Sequence, residues 1–550
     1  MRERRKLNAF NLSHEHKMTC EMGYLVPNLL IEVEPGDTID LRSSIFCRAE
    51  AMLAPVMHRY DVIQHYFYWP KRCAMPKHWE DYITGGEDGN DSTVWPYMMS
   101  PATGYARGSL GDYLGLPCDT RVDTSAGSTE TSQVQSAFAH SAVPFRMYAE
   151  IFNYWYRNEN LQNKLTWSDQ PGLDTTTNTT LQKKNWPKDY FTSALDRTER
   201  GDPTYLPFSG VDNIPVQISR DGNKALGLTG IYQGAGVNYG LADAGQGLSA
   251  WTGAFGSDLY SGSPTGSATV SGQVLGLTHD ATKSGIKGVA KGGAAISLSY
   301  RDFQLTARMA LFKRRLERAG SRLVEWTSEF FGVRVPDDRI CKPIFLGGFR
   351  NPLMITPVEQ TSSTDAVSPQ GNLAGRGTAS GQSRKIRKSF VEEGLIMGIM
   401  CIMPKAEYSQ GLHRLWTRKT RWDHFVPMFD VAGDQEIKNS EIYTQGDSTV
   451  DSDGAVYDEG TFGYKPAYQE LRSIPSSVHG EMRKGGSLTF WTGGRLFDSL
   501  PQLNSAFVTA DPSNRIFAVT TEGIHHFTIE AFHEIRALRL LDKYGNPSII

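Results

Sequence analysis

The chain lacks most of what would mark an enzyme, a membrane protein or a secreted disulfide scaffold. Its 550 residues hold only six cysteines, Cys20, Cys47, Cys73, Cys118, Cys341 and Cys401, with no C-x-x-C pair among them. Zinc ribbons and small disulfide domains space their cysteines differently, so buried free thiols and a reducing compartment are expected. No apolar run reaches membrane-spanning length. The longest, Leu395-Ile-Met-Gly-Ile-Met-Cys-Ile-Met403, stops at Pro404 and reads as a fully buried strand. Met1-Arg-Glu-Arg-Arg-Lys6 is followed by no apolar h-region, so no secretory signal is expected. Nor is there an excess of one charge: 57 Lys and Arg against 60 Asp and Glu leave a net charge of −3. That balance excludes a polycationic, free-standing nucleic-acid binder and confines any such role to local patches.

Catalytic motifs are missing as well. The chain has no G-x-S-x-G, no P-loop, no H-E-x-x-H and no G-x-G-x-x-G between a strand and a helix. Glu392-Glu393 cannot act as a carboxylate dyad on a strand, because successive side chains point to opposite faces. His14 and His16, and the pair His525 and His526, are read as satisfied structural or exposed residues rather than as metal ligands. No cofactor, metal or catalytic residue is expected. No repeat of 20–50 residues is present, which argues against a solenoid or a propeller.

What is present is the grammar of a β protein. Gly23 to Pro27 and Leu29 to Val33 are short apolar runs closed by Glu34-Pro-Gly-Asp37, where Pro then Gly favours a tight turn. Asp61-Val-Ile-Gln-His-Tyr-Phe-Tyr-Trp69 is dense in strand formers and stops at Pro70. Residues 79–83 read as a short helix and residues 85–135 as an irregular connection. Between Pro144 and Leu161, Phe145, Tyr148, Ile151 (or Phe152), Trp155 and Tyr156 recur at helical spacing. A second stripe, Leu305, Met309, Phe312, Leu316, Ala319, Leu323, Trp326 and Phe330, predicts an amphipathic helix lying on a sheet. Residues 362–382 and 431–463 read as loops. Residues 515–521 and 525–531 read as two strands joined at Glu522-Gly523.

One block departs from this grammar. Residues 222–293 hold 18 of the 54 glycines, yet also carry Tyr232, Tyr239, Trp251, Phe255 and Tyr260. Flexible linkers lack such aromatics. Tyr and Trp offer large contact area at low entropic cost, so the block reads as a packed, protruding recognition element. Three basic clusters are candidate nucleic-acid contacts. The first is Arg2, Arg4, Arg5 and Lys6. The second is Arg384, Lys385, Arg387 and Lys388. The third runs from Arg414 to Trp422, where Arg418, Lys419 and Arg421 alternate with Trp416 and Trp422. Cations follow phosphates and indole faces stack on unpaired bases, which suits single-stranded nucleic acid. The competing reading is a solvated loop with its aromatics turned into the core.

Several short motifs then resemble a known family. Phe10-Asn-Leu-Ser-His-Glu15, Met22-Gly-Tyr-Leu-Val-Pro27, Glu34-Pro-Gly-Asp37 and Met52-Leu-Ala-Pro-Val-Met-His-Arg59 are similar to the N-terminal segment of Microviridae major capsid proteins, gokushovirus-like branch. Tyr154-Trp-Tyr-Arg-Asn-Glu-Asn160, Lys188-Asp-Tyr-Phe-Thr-Ser-Ala194, Phe331-Gly-Val333, Gly463-Tyr-Lys-Pro-Ala-Tyr-Gln469 and Asp511-Pro-Ser-Asn-Arg-Ile-Phe-Ala-Val519 follow in the same order. The resemblance implies a mainly β chain: one eight-stranded antiparallel jelly-roll barrel with long loops. Residues 1–208 and 301–550 would form the shell, and residues 209–300 a surface insertion near the threefold axis. It implies a T=1 icosahedral virion shell around single-stranded DNA, assembled in the host cytoplasm. It also implies as partners further copies of the chain, a small basic DNA-binding protein, a pilot protein, an internal scaffolding protein and a host-cell receptor. A phage spike or glycan-binding β protein is the alternative. A β-sandwich carbohydrate-active enzyme would instead need paired carboxylates about 5 to 10 Å apart in a cleft.

Overall fold

A computed structural model describes residues 7–84, 92–119, 134–200, 216–220, 226–232, 235–241, 286–290, 300–319, 329, 341–361, 370–430, 433–450, 454–521, 524–541 and 543. Side chains are not described within the four strands between 216 and 290. The chain divides into two compact units, Met1–Arg200 with Arg314–Ile550, and Gly201–Lys313.

The larger unit begins with β1 (Asn8–Asn11), β2 (His14–Cys20), β3 (Val26–Val33), β4 (Thr38–Ala49) and β5 (Tyr60–Pro70). Short helices α1 (Trp79–Thr84) and α2 (Leu110–Tyr113) and the hairpin partners β6 (Tyr97–Met99) and β7 (Ala139–Ser141) lead to α3 (Val143–Ile151). The smaller unit holds β8 (Val216–Arg220), β9 (Leu226–Tyr232), β10 (Ala235–Leu241) and β11 (Ile286–Ala290). There β9 and β10 form an antiparallel hairpin, and β11 pairs with β8. Helix α4 (Tyr300–Ala319) follows. The remaining strands are β12 (Ile344–Pro352), β13 (Met354–Glu359), β14 (Leu373–Gln382), β15 (Ile386–Ser389), β16 (Gly394–Pro404), β17 (Asp434–Lys438), β18 (Thr461–Pro466) and β19 (Phe527–Arg539).

Two antiparallel sheets carry the larger unit. One has four strands in the order β12-β5-β16-β3. The other has seven, in the order β1-β19-β4-β14-β13, with β2 also on β19 and β15 also on β4. Their facing side chains form two apolar clusters. One joins Ile45, Cys47, Phe527 and Ile529 to Val62, Met400 and Ile402. The other joins Ile39, Leu41 and Ile535 to Tyr66, Tyr68 and Ile396. A polar group bridges the sheets inside this sandwich. His533 Nε2 donates to the Asn28 carbonyl (3.0 Å) and its Nδ1 accepts from Ser43 Oγ (2.8 Å), while the Asn28 and Gln64 amides bond reciprocally at 2.8 Å. Each member has a partner, which is what permits these groups in an apolar interior. Among the described residues no ladder joins the sheets along either edge, so they form an open sandwich and not the closed barrel expected.

The far face of the four-stranded sheet is covered too. Ile63, Phe67, Trp69, Met397, Ile399, Cys401 and Met403 pack with Phe145, Met147, Tyr148 and Ile151 of α3. Pro144 opens this helix, and residues 152–156 continue it as one π-helical turn, so it ends five residues before the expected boundary. Arg146, fully buried, is held by Asp174 (2.7 and 2.8 Å) and by the carbonyls of Ala74 and Gln170.

Several sequence expectations change. Residues 373–382 are not a loop but β14. Its inward positions are small because another backbone crosses there: a Cβ on Gly375 would meet the Ala54 carbonyl at 2.2 Å. Residues 431–463 contain β17, which pairs with β18, and a helical turn at Asn439–Ile442. Residues 515–521 form no strand. Ile516 and Phe517 are buried, and the segment is pinned by the Leu53 and Ala518 amides instead of a ladder. Leu305, Met309 and Phe312, the stripe expected to face a sheet, are exposed along α4. The remainder of that stripe, Leu316, Ala319, Leu323, Trp326 and Phe330, lies outside the described side chains.

Candidate assembly and nucleic-acid surface

Pro404 ends β16 and releases the chain into short helical turns. Residues Arg414–Trp416 start one turn, where the His413 ring accepts from the Leu415 amide (3.1 Å). Residues Arg421–Asp423 form the next. The Asp423 carboxylate accepts from the amides of Lys419 (2.9 Å) and Thr420 (2.7 Å) and from the Thr420 hydroxyl (3.0 Å). Those hydrogen bonds hold its carboxyl low, at about 2. The segment rests on residues 468–472. Tyr468, the one described non-glycine residue in the left-handed region (φ 60°), meets the Phe425 ring edge-on at 5.0 Å.

The cluster divides in the structure, two of its arginines being paired with carboxylates. Arg414 bonds Glu441 (3.1 Å) and Arg418 bonds Glu470 (3.1 Å), leaving their side chains only 15 and 14% exposed. Arg472 reaches Asp430 from the facing segment. These arginines tie irregular segments together with charge-assisted bonds. Lys419 and Arg421 lie at the surface. The apolar side chains point outward: Trp416 is 74% exposed, Met428 73% and Ile474 80%, with Leu415, Phe425 and Leu471 exposed beside them. The Trp422 side chain lies outside the described residues. Trp416 was legible as a surface candidate from its basic neighbours. Leu471, Ile474 and Met428 carried no comparable signal, because nothing in the local sequence says which way they face.

The second basic cluster lies on β15 and the turn before it. Lys385 Nζ is 3.0 Å and Arg387 Nε 3.5 Å from the Asp40 carboxylate on β4. The register continues this row across four strands: Asn11 opposite Arg536, Arg536 opposite Asp40, and Asp40 opposite Arg387. Arg42 on the same face donates to Gln382 (2.7 Å). One carboxylate thus serves Lys385 and Arg387 and faces Arg536, leaving a cationic excess along this row of the open face. Arg384 is exposed and Lys388 half-exposed.

Other sequence candidates separate or fall outside view. Arg2, Arg4, Arg5 and Lys6 lie outside the described residues, as do Trp251, Phe255 and Tyr260 and the side chains of Tyr232 and Tyr239. His525 bonds Thr19 (2.8 Å) and His526 bonds Glu21, so the pair does not converge. Glu392 and Glu393 neutralise Arg72 and Lys71 respectively. Among the described residues no group of three metal-ligating side chains converges.

A β sandwich that turns Trp416, Met428 and Ile474 to its surface while pairing Arg414 and Arg418 with carboxylates presents apolar area of the kind that marks interaction surfaces. That defines the class: the subunit of a larger assembly. A family model described as capsid protein (F protein) matches residues 2–549. The chain is 32% identical to the capsid protein VP1 of Chlamydia phage 1 and 31% identical to that of Bdellovibrio phage phiMH2K, each over 98% of this chain and 95% of the relative. It is 27% identical to the capsid protein VP1 of Spiroplasma virus 4, over 92% of this chain and 88% of the relative. The chain therefore belongs to the F-protein family of phage capsid proteins. It is a structural component of the virion that associates with copies of itself, and not an enzyme.

Proposed function

We propose that this chain builds a T=1 icosahedral shell around a circular single-stranded DNA genome, using a jelly-roll framework. The observation that carries the framework is strand order. Taken alone, β2-β19-β4-β14 and β3-β16-β5-β12 are the two four-stranded sheets that a chain winding as a double Greek key produces, with β13 as an addition. Residues 1–208 and 301–550 would supply this shell domain, and residues 209–300 an insertion near the threefold axis that meets a host-cell receptor. The Trp416, Met428 and Ile474 surface suits contact with a neighbouring copy. The row of Lys385, Arg387 and Arg536 suits phosphates, and Lys419 and Arg421 beside Trp416 suit an unpaired strand. A net charge of −3 leaves most phosphate neutralisation to a separate small basic protein. A pilot protein and an internal scaffolding protein complete the set of partners, with assembly in the host cytoplasm.

The test is sedimentation and electron microscopy of the purified chain with its scaffolding partner. Closed shells from the wild type, with soluble folded subunits but no shells from Trp416→Ala combined with Ile474→Asp, support the reading. A chain that stays a compact monomer under every assembly condition would falsify it. Lys385→Ala with Arg387→Ala is expected to leave shells intact and lower their DNA content; unchanged DNA removes those two residues from the interior.

A further inference from the structure

The six thiols are not equivalent. Cys20, Cys47 and Cys401 are buried in apolar clusters, and burial pushes Cys47 and Cys401 up to about 12 and Cys20 well above its ordinary value. Cys118 is likewise pushed up to about 12, by desolvation and by Asp112. Thiols of this kind neither attack nor oxidise readily. Cys73 and Cys341 differ because the fold brings them together. β12 runs antiparallel to β5 with Ile344 opposite Tyr68, so three residues back from Ile344 and five residues on from Tyr68 the chain segments still adjoin. Cys73 sits there in the helical turn Lys71–Ala74, fully buried, and Cys341, half-buried, packs against the same apolar cluster. The two side chains hydrogen-bond to each other. Arg72 Nη1 donates to Cys341 Sγ at 3.3 Å, while its Nε donates to Glu392 at 2.6 Å.

We propose that Cys73 and Cys341 are a redox pair that closes to a disulfide when the protein leaves a reducing compartment, stapling the start of β12 to the end of β5. Cys341 is the attacking sulfur. The hydrogen bond from Cys73 and the Arg72 guanidinium hold its thiol down to about 6, outweighing desolvation and the Glu392 charge. Cys73 moves the other way, because it donates that bond and is buried, and it serves as the resolving thiol. The oxidant is a low-molecular-weight disulfide. The Cys341 thiolate attacks one of its sulfurs, forms a mixed disulfide and expels one thiolate. Cys73 then loses its proton and attacks Cys341 Sγ, expelling the second. Two small thiols are formed for each protein disulfide. The closed loop spans nearly half of the chain, including all of Gly201–Lys313, and long closed loops are where a crosslink most restricts the unfolded state.

The probe is oxidised glutathione at pH 7.5 on the purified full-length chain, followed by alkylation and peptide mapping without reduction. A Cys73–Cys341 crosslinked peptide is expected, with the other four cysteines recovered alkylated. Cys73→Ser is expected to trap glutathione on Cys341, and Cys341→Ser to leave Cys73 unmodified. Oxidation is expected to raise the melting temperature of the wild type by several degrees and to leave that of Cys341→Ser unchanged. Should Cys73→Ser not fold, the wild-type map still decides. Recovery of wild-type Cys341 as free thiol or as a lasting glutathione adduct would overturn the proposal.

Discussion

The two sheets of the larger unit solve the burial problem differently. All eleven residues of β16 are buried, and so are ten of the eleven in β5. Their sheet is sandwiched between the seven-stranded sheet and the cover led by α3, so both faces demand apolar or fully bonded side chains. β19 alternates instead, burying Phe527, Ile529, Ala531, His533, Ile535 and Ala537 while Glu530, Phe532, Glu534 and Arg536 face outward. Its open face accepts charge, aromatics and small residues alike. The four-stranded sheet therefore constrains the fold, and the seven-stranded sheet leaves a face open, which carries the Lys385, Arg387 and Arg536 row.

The largest expected breach of this contrast is Met400→Asp. Met400 is fully buried on β16 against Cys47 and Phe527, and an unpaired carboxylate there has no partner. No soluble folded chain is expected in an expression and circular-dichroism assay; a folded variant would mean the four-stranded sheet is not buried on both faces. Next is Arg146→Ala, which strands the buried Asp174 carboxylate. A loss of about 3–5 kcal/mol is expected from denaturant unfolding. Arg146→Met together with Asp174→Leu, removing both charges, is expected to recover much of it.

An effect smaller for each residue, shared by both sheets, is set by pH. His65 on β5 and His533 on β19 are held down to about 4, chiefly by burial and then by Lys184 and His14 respectively. Both are neutral when folded and take up protons near 6.5 when unfolded. The unfolded chain therefore binds more protons between pH 6.5 and 4, and stability falls as pH drops through that window. The expected loss is about 3 kcal/mol for each histidine on full passage. Urea midpoints at pH 7, 5.5 and 4 measure it, and His533→Gln should flatten the slope. The smallest effect belongs to the open face: Phe46→Ser and Phe532→Ser are expected to change stability by no more than about 0.5 kcal/mol. A larger loss would show that this face is packed within the monomer.

Some of this was legible residue by residue. β5 and β16 were readable because burial on both faces fills them with strand formers, dense in β5 and unbroken apolar in β16, up to Pro70 or Pro404. The turn at Glu34–Asp37 was readable because only Gly accepts the φ of +90° found at Gly36. β14 was not, since its Gly and Ala residues answer to a backbone crossing from residues 54–55, far away in sequence. The pairing of Arg418, a candidate nucleic-acid contact, was hidden for the same kind of reason: its partner Glu470 lies 52 residues on.

By itself, then, the sequence determined the β class, the buried strands, the absence of catalytic motifs and the family. Each of these follows from local periodicity, from turn chemistry or from motif order, all of which are properties of neighbouring residues. Tertiary structure alone decided which cations stay at the surface, that Met428 and Ile474 face outward, and that Cys341 meets Cys73. Those outcomes depend on pairings between distant segments, where a carboxylate, a carbonyl or a thiol supplied by another part of the chain sets what a side chain can do.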